Sequence, residues 1–205
     1  MAIRPLTTAS RKCSDTQCVA LQVDETIYKT AHTDGCVDSK SCPFVPVDVN
    51  KFASIIRRGD IPLIRVVTTQ EATELKIHSS SSGASYIAIS HVWAHGLGNV
   101  NENALPRCQV IRLGQLVPTL SRIIGCNNAA LLWIDTLCIP VDASLYECRK
   151  LAIQKLTETF SNVTKVLVLD VEFRKPHFVV VALNWRRVSS VQDGCADYGL
   201  SRRPL

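Results

Sequence analysis

Cys13, Cys18, His32, Cys36 and Cys42 crowd the first part of the chain, spaced C-x4-C and then H-x3-C-x5-C. A tetrahedral zinc site needs four soft ligands converging on one point, and close pairs bring two of them together cheaply. These intervals are looser than a C-x2-C pair, so zinc is one expectation for these residues and free thiols are the other. A second group lies mid-chain, where Tyr86–Ser90 (Y-I-A-I-S) runs straight into H-V-W-A-H-G-L-G-N. His91, Trp93 and His95 supply titratable and aromatic groups there, and Gly96 and Gly98 let the backbone approach a ligand closely. A third group follows the apolar run Leu131–Ile134, which ends in Asp135 and continues as T-L-C-I-P-V-D. Neither a Walker lysine nor a G-x-G-x-x-G pattern accompanies the glycines, so a phosphate cradle of either kind is unsupported.

The elements that must position these groups read as follows. Tyr86–Ser90 carries no charge, as a strand covered on both faces does. Leu131–Asp135 and Lys165–Asp170 read as two more apolar strands. Between them Ser144–Glu147 has the form of a capping box, opening a helix with Ala152, Ile153, Leu156, Phe160 and Val163 on one face. Strand, helix and strand form a βαβ unit, so the two strands are expected parallel with a right-handed crossover. In such sheets ligands gather beyond the carboxyl ends of the strands, which places Asp135, Cys138 and the Asp142 loop on the binding face.

Upstream, Asp48 or Asn50 caps a short helix with Phe52, Ile55 and Ile56 inward, closed by Arg57, Arg58 and Gly59. Pro62–Val67 reads as a strand able to pair with Leu75–His78 as a hairpin. Ser79–Gly83 is expected to be a flexible connector. Pro118 is expected to open a helix through Leu120, Ile123 and Ile124, stopped by Gly125. The expected organisation is a Cys-rich extension over 1–78, a Ser-rich linker over 79–84, and an α/β domain over 85–205 whose pattern degrades after about 170. Val179–Leu183 is a bare apolar run in that last part.

Composition sets the limits. The chain has 205 residues, 46% hydrophobic and 20% charged, which suits a globular protein rather than a disordered one. The net charge of +5 is not gathered into one basic run. With no interleaving of aromatic and basic residues, a zinc-dependent nucleic-acid binder is the weakest reading. No apolar stretch is long enough for a membrane span, and the N-terminus lacks a signal-peptide apolar core, so a cytoplasmic protein is expected. Of the nine cysteines, Cys108, Cys126 and Cys138 lie in or beside apolar segments and read as core packing.

Three segments in order carry a resemblance: S-H-V-W-A-H-G-L-G-N from Ser90, N-A-L-P-R-C-Q from Asn103, and L-W-I-D-T-L-C-I-P from Leu132. Together they resemble the fungal heterokaryon-incompatibility (HET) domain, over about residues 86–170. The Cys/His segment and I-P-L-I from Ile61 resemble a leader found in some of these proteins. Such domains act in non-self recognition between hyphae and trigger cell death, and they are remotely similar to TIR domains. The resemblance therefore implies an open, mainly parallel, TIR- or flavodoxin-like sheet with flanking helices, incomplete here at the C-terminus. It also implies self-assembly, or assembly with other incompatibility proteins, through the loop Thr136–Glu147.

Some TIR domains hydrolyse NAD, so the resemblance implies an alternative activity as an NAD glycohydrolase. Ser90, His91, Trp93, Gly96, Asp135, Cys138 and Trp185 would then line the ligand pocket, and Asp193 would stabilise the ribose cation. The family's tryptophan-arginine-tryptophan and glutamine-glutamate pattern is altered in W-R-R-V-S-S-V-Q-D-G from Trp185, with Asp193 where glutamate is expected. Aspartate is one methylene shorter, and a displacement near 1 Å costs on the order of a hundredfold in rate.

Overall fold

The computed structural model describes residues 26–93, 96–123 and 131–169, with the side chains of 121–123 left aside. Cys13, Cys18, His95, Cys126, Val179–Leu183, Trp185 and Asp193 lie outside the described residues.

Among the described residues the protein is α/β, with a mixed five-stranded sheet in the order β3-β2-β6-β4-β7. These strands are β2 (Pro62–Thr68), β3 (Thr73–Ser79), β4 (Tyr86–His91), β6 (Leu131–Ile134) and β7 (Lys165–Leu169). A second, two-stranded antiparallel sheet joins β1 (Phe44–Pro46) to β5 (Ala104–Pro106). The helices are α1 (Val49–Arg57), α2 (Arg107–Ile123), α3 (Asp135–Cys138), α4 (Tyr146–Gln154) and α5 (Leu156–Asn162).

β4 runs parallel to both β6 and β7, so the strands flanking the α3–α5 crossover are parallel, as their helical connection requires. The sheet as a whole is mixed rather than mainly parallel. A tight turn can join β2 and β3 only as an antiparallel hairpin, and β2 docks antiparallel on β6 through Ile64 and Leu132. The hairpin thus shares the sheet and core of the later strands, with the 79–84 segment between two strands of that sheet. Nor does that segment have the character of a flexible connector. Ser79 and Ser81 donate their hydroxyls to Asp60, and the Ser80 hydroxyl accepts the Ile61 amide, fixing one turn of 3-10 helix at Ser80–Ser82.

Strand alternation fixes the layers. Ile64, Val66 and the paired Leu132 face one side, where Val66 would meet a Cβ added at Gly114 of α2 at 2.8 Å. Trp133 therefore faces the other, packing edge-on against Phe160 of α5 with ring centroids 5.5 Å apart. Both faces are covered, which is why Tyr86–Ile89 and Leu131–Ile134 are buried throughout.

α1 forms as its pattern predicts. Asp48 accepts from the amides of Asn50 and Lys51, and Phe52, Ile55 and Ile56 turn inward. α2 does not begin at Pro118. It starts at Arg107 and carries Pro118 inside, a residue that costs about 3 kcal/mol in a helix interior. Val110, Leu113, Leu116, Val117 and Leu120 are buried on both sides of the proline, and this continuous apolar face holds the helix together across it. The expected capping box is also absent. Asp142, not Ser144, accepts a backbone amide there, and it caps a short 3-10 turn at Ala143–Leu145. The helix beyond is broken at Lys155 into α4 and α5, which leaves Ile153 exposed instead of in the apolar face.

Candidate functional site

Parallel pairing of β4 with β6 brings Ile89 opposite Ile134, so the residues just beyond, His91 and Asp135, leave the sheet at the same edge. Their side chains meet. A carboxylate only accepts, so His91 Nε2 carries the proton and donates to Asp135 Oδ1 at 2.7 Å. Trp93 Nε1 donates to Asp135 Oδ2 at 2.8 Å, and the Thr136 amide donates to Oδ1 at 2.7 Å. The Thr136 hydroxyl donates a hydrogen bond to the Leu97 carbonyl at 2.7 Å, tying α3 to the loop after Trp93.

The His91 side chain is 1% exposed, and its Nδ1 has no partner among the described residues. Burial pushes the Asp135 carboxyl up, but the hydrogen bond and charge of His91, then Trp93 and the Thr136 amide, outweigh it and hold it below the usual carboxylate range. Asp135 is thus a committed anion with donors on both oxygens. It is suited to locking two strand-end loops together and ill suited to taking a proton from a substrate.

Gly96 and Gly98 serve the chain's own packing rather than a ligand. Gly96 has φ +88°, and a Cβ there would lie 2.3 Å from the Ala31 Cβ. At Gly98 a Cβ would lie 2.5 Å from the Trp93 ring. The segment Tyr28–His32 crosses this loop as a strap. The Tyr28 hydroxyl donates to the Trp93 carbonyl and accepts the Gly98 amide, each at 2.8 Å. The Thr30 hydroxyl donates to the Gly98 carbonyl, and the Ala31 amide to that of Gly96. Beside the strap lies a cavity of about 350 Å³ lined by Tyr28, Lys29, His32, Phe44, Asn99 and Glu102 among others.

The expected ligand-facing residues divide accordingly. His91, Trp93, Gly96 and Asp135 come together. Ser90 stays within β4 opposite Val168. Cys138 is fully buried, and burial pushes its thiol up to about 12, so it lines no mouth; the chain after β6 curls into α3 and carries it inward. The first part of the Thr136–Glu147 loop follows it, with Thr136 and Leu137 also buried. Trp185 and Asp193 lie outside the described residues.

Of the expected metal ligands, His32, Cys36 and Cys42 converge, and Cys108 joins them in place of Cys13 and Cys18, which are not described. Cys108 is half-buried beside His32 rather than packed in the core. Sequence reasoning also missed Asn103, whose amide donates to the carbonyls of Thr136 and Ile139 and whose oxygen accepts from Val141. An asparagine directly before the apolar A-L-P segment was the signal the sequence offered for it. Comparison with protein-family models, curated proteins and solved structures finds no match to this chain.

Proposed function

We propose that this chain is a protein-assembly module of the heterokaryon-incompatibility type, acting in fungal non-self recognition and cell-death signalling. The observation that carries the reading is the hydrogen-bonded meeting of His91 and Trp93 with Asp135. It joins S-H-V-W to L-W-I-D, two of the motifs on which the resemblance rests, and Asn103 from the third motif anchors α3 beside them. The parallel strands support the accompanying flavodoxin-like reading. Numbered among themselves, β6, β4 and β7 lie in the order second, first, third, as such sheets begin.

An assembly role also suits the surface of α4. Tyr146 and Ile153, seven residues apart on one helix, are 65% and 47% exposed. These residues replace the buried half of the Thr136–Glu147 loop as the surface offered to a partner. A hydrolase reading is less well served, because the Asp135 carboxylate is already committed to His91 and Trp93.

The test is expression in fungal cells, with growth scored alongside self-association of the purified chain. The expected result is growth arrest that is lost in a Tyr146→Asp/Ile153→Asp variant of unchanged melting temperature. Identical growth with and without the chain, whether or not an incompatible partner is present, overturns the reading. Nicotinamide release from NAD by the purified chain, abolished by Asp193→Ala, would replace it with a glycohydrolase.

A further inference from the structure

The segment from Thr26 to Pro43 has no helix or strand, yet it places three ligating side chains at one point against the start of α2. His32, Cys36, Cys42 and Cys108 each turn one donor atom inward, and the four atoms lie within 4.8 Å of one another. The separations match a metal's requirements. Tetrahedral zinc, with Zn–S about 2.3 Å and Zn–N about 2.0–2.1 Å, sets a sulfur and a nitrogen ligand about 3.6 Å apart. The observed Sγ···Nδ1 distances from His32 are 3.5 Å to Cys108 and 3.7 Å to Cys36.

We propose that His32, through Nδ1, and the thiolates of Cys36, Cys42 and Cys108 bind one structural zinc ion. The set is three cysteines and one histidine, with all four positions supplied by protein. That is the pattern of a closed structural site rather than a catalytic one.

The surroundings favour it on separate grounds. Cys108 lies in the first turn of α2, where the helix dipole favours an anion, and it accepts the Thr33 amide at 3.4 Å. Thiols crowded this closely cannot all ionise unaided, and a divalent cation removes that conflict. The ion would staple a segment without secondary structure to α2, next to the strap over Gly96 and Gly98. This inference stands apart from the assembly reading and holds or fails without it.

Metal analysis of the purified full chain tests it, with about one zinc per chain expected. Cys42→Ser and Cys108→Ser should each lose the metal, and a Cys13→Ser/Cys18→Ser variant should keep it. Because a ligand variant can misfold, cobalt is also titrated into the reduced, metal-free wild-type chain. Thiolate-to-cobalt charge-transfer absorption that zinc then abolishes is the expected result. No such band, zinc undiminished in Cys108→Ser, zinc lost with Cys13 and Cys18, or Cys36, Cys42 and Cys108 found in disulfides in metal-free protein would each overturn it.

Discussion

The Tyr28–His32 strap touches two polar clusters, the strand-end one at Trp93 and the other through His32 itself, and they are completed in opposite ways. At the strand ends, Asp135 accepts hydrogen bonds from His91, Trp93 and Thr136, and the anion is satisfied by its own chain. At the start of α2, three thiols and an imidazole converge with few donors among them to stabilise the charge they would carry together. The first cluster rests on two parallel strands that define its geometry. The second is carried largely by a stretch with no regular backbone hydrogen bonding. A network that satisfies itself is a structural lock. A set of ligands that does not is completed by something outside the chain.

Breaking the lock should have the largest effect. Asp135→Ala leaves the His91 and Trp93 N–H groups without an acceptor, and one-sided loss at such a site costs about 3 kcal/mol. Urea unfolding should show this as a lower midpoint with little change in slope. Gly96→Ala comes next, at about 2–3 kcal/mol, because it forces φ +88° on a residue with a Cβ and drives that Cβ into Ala31. An equal loss at Gly59, which also has positive φ but open space around it, would show that backbone strain alone is responsible.

Acid should weaken the lock while wild type still holds its fold. The Asp135 carboxyl is held below its unfolded value of about 3.9, so its contribution is complete above about pH 5. It is lost as pH falls through the folded value. The stability gap between wild type and Asp135→Asn should therefore be constant from neutral pH down to about pH 5 and close below it. A gap that instead closed around pH 6–7 would assign the dependence to a histidine and not to this carboxylate.

How much of this was legible in the sequence differs between the clusters. β4, β6 and β7 were readable because short apolar runs joined by a helical crossover fit parallel strands, and parallel pairing then put His91 beside Asp135. The hairpin was readable as a hairpin, but its docking through Ile64 on Leu132 was not, since nothing local to either strand specifies that contact. Pro118 misled because a proline's local preference was set against an apolar face already running from Val110 to Leu120. For the thiol cluster, His32, Cys36 and Cys42 could be grouped by spacing. Cys108 could not, because its approach is a tertiary event between distant segments, and an apolar neighbourhood made core packing the economical assignment.

The smallest effect bears on whether the two clusters communicate. Tyr28→Phe removes one hydroxyl that accepts the Gly98 amide and donates to the Trp93 carbonyl, a loss of about 1 kcal/mol. In wild type, removing zinc should loosen the Thr26–Pro43 segment and, through the Ala31 amide on Gly96, speed hydrogen exchange at Ala31 and Gly98 while β4 and β6 stay protected. In Tyr28→Phe the Gly98 amide has already lost its partner, so chelation should accelerate its exchange far less than in wild type. Non-additivity of this kind is the signature of a shared path, here the strap. Equal acceleration by chelation in both proteins would mean that the metal cluster and the strand-end lock are neighbours without influence on each other.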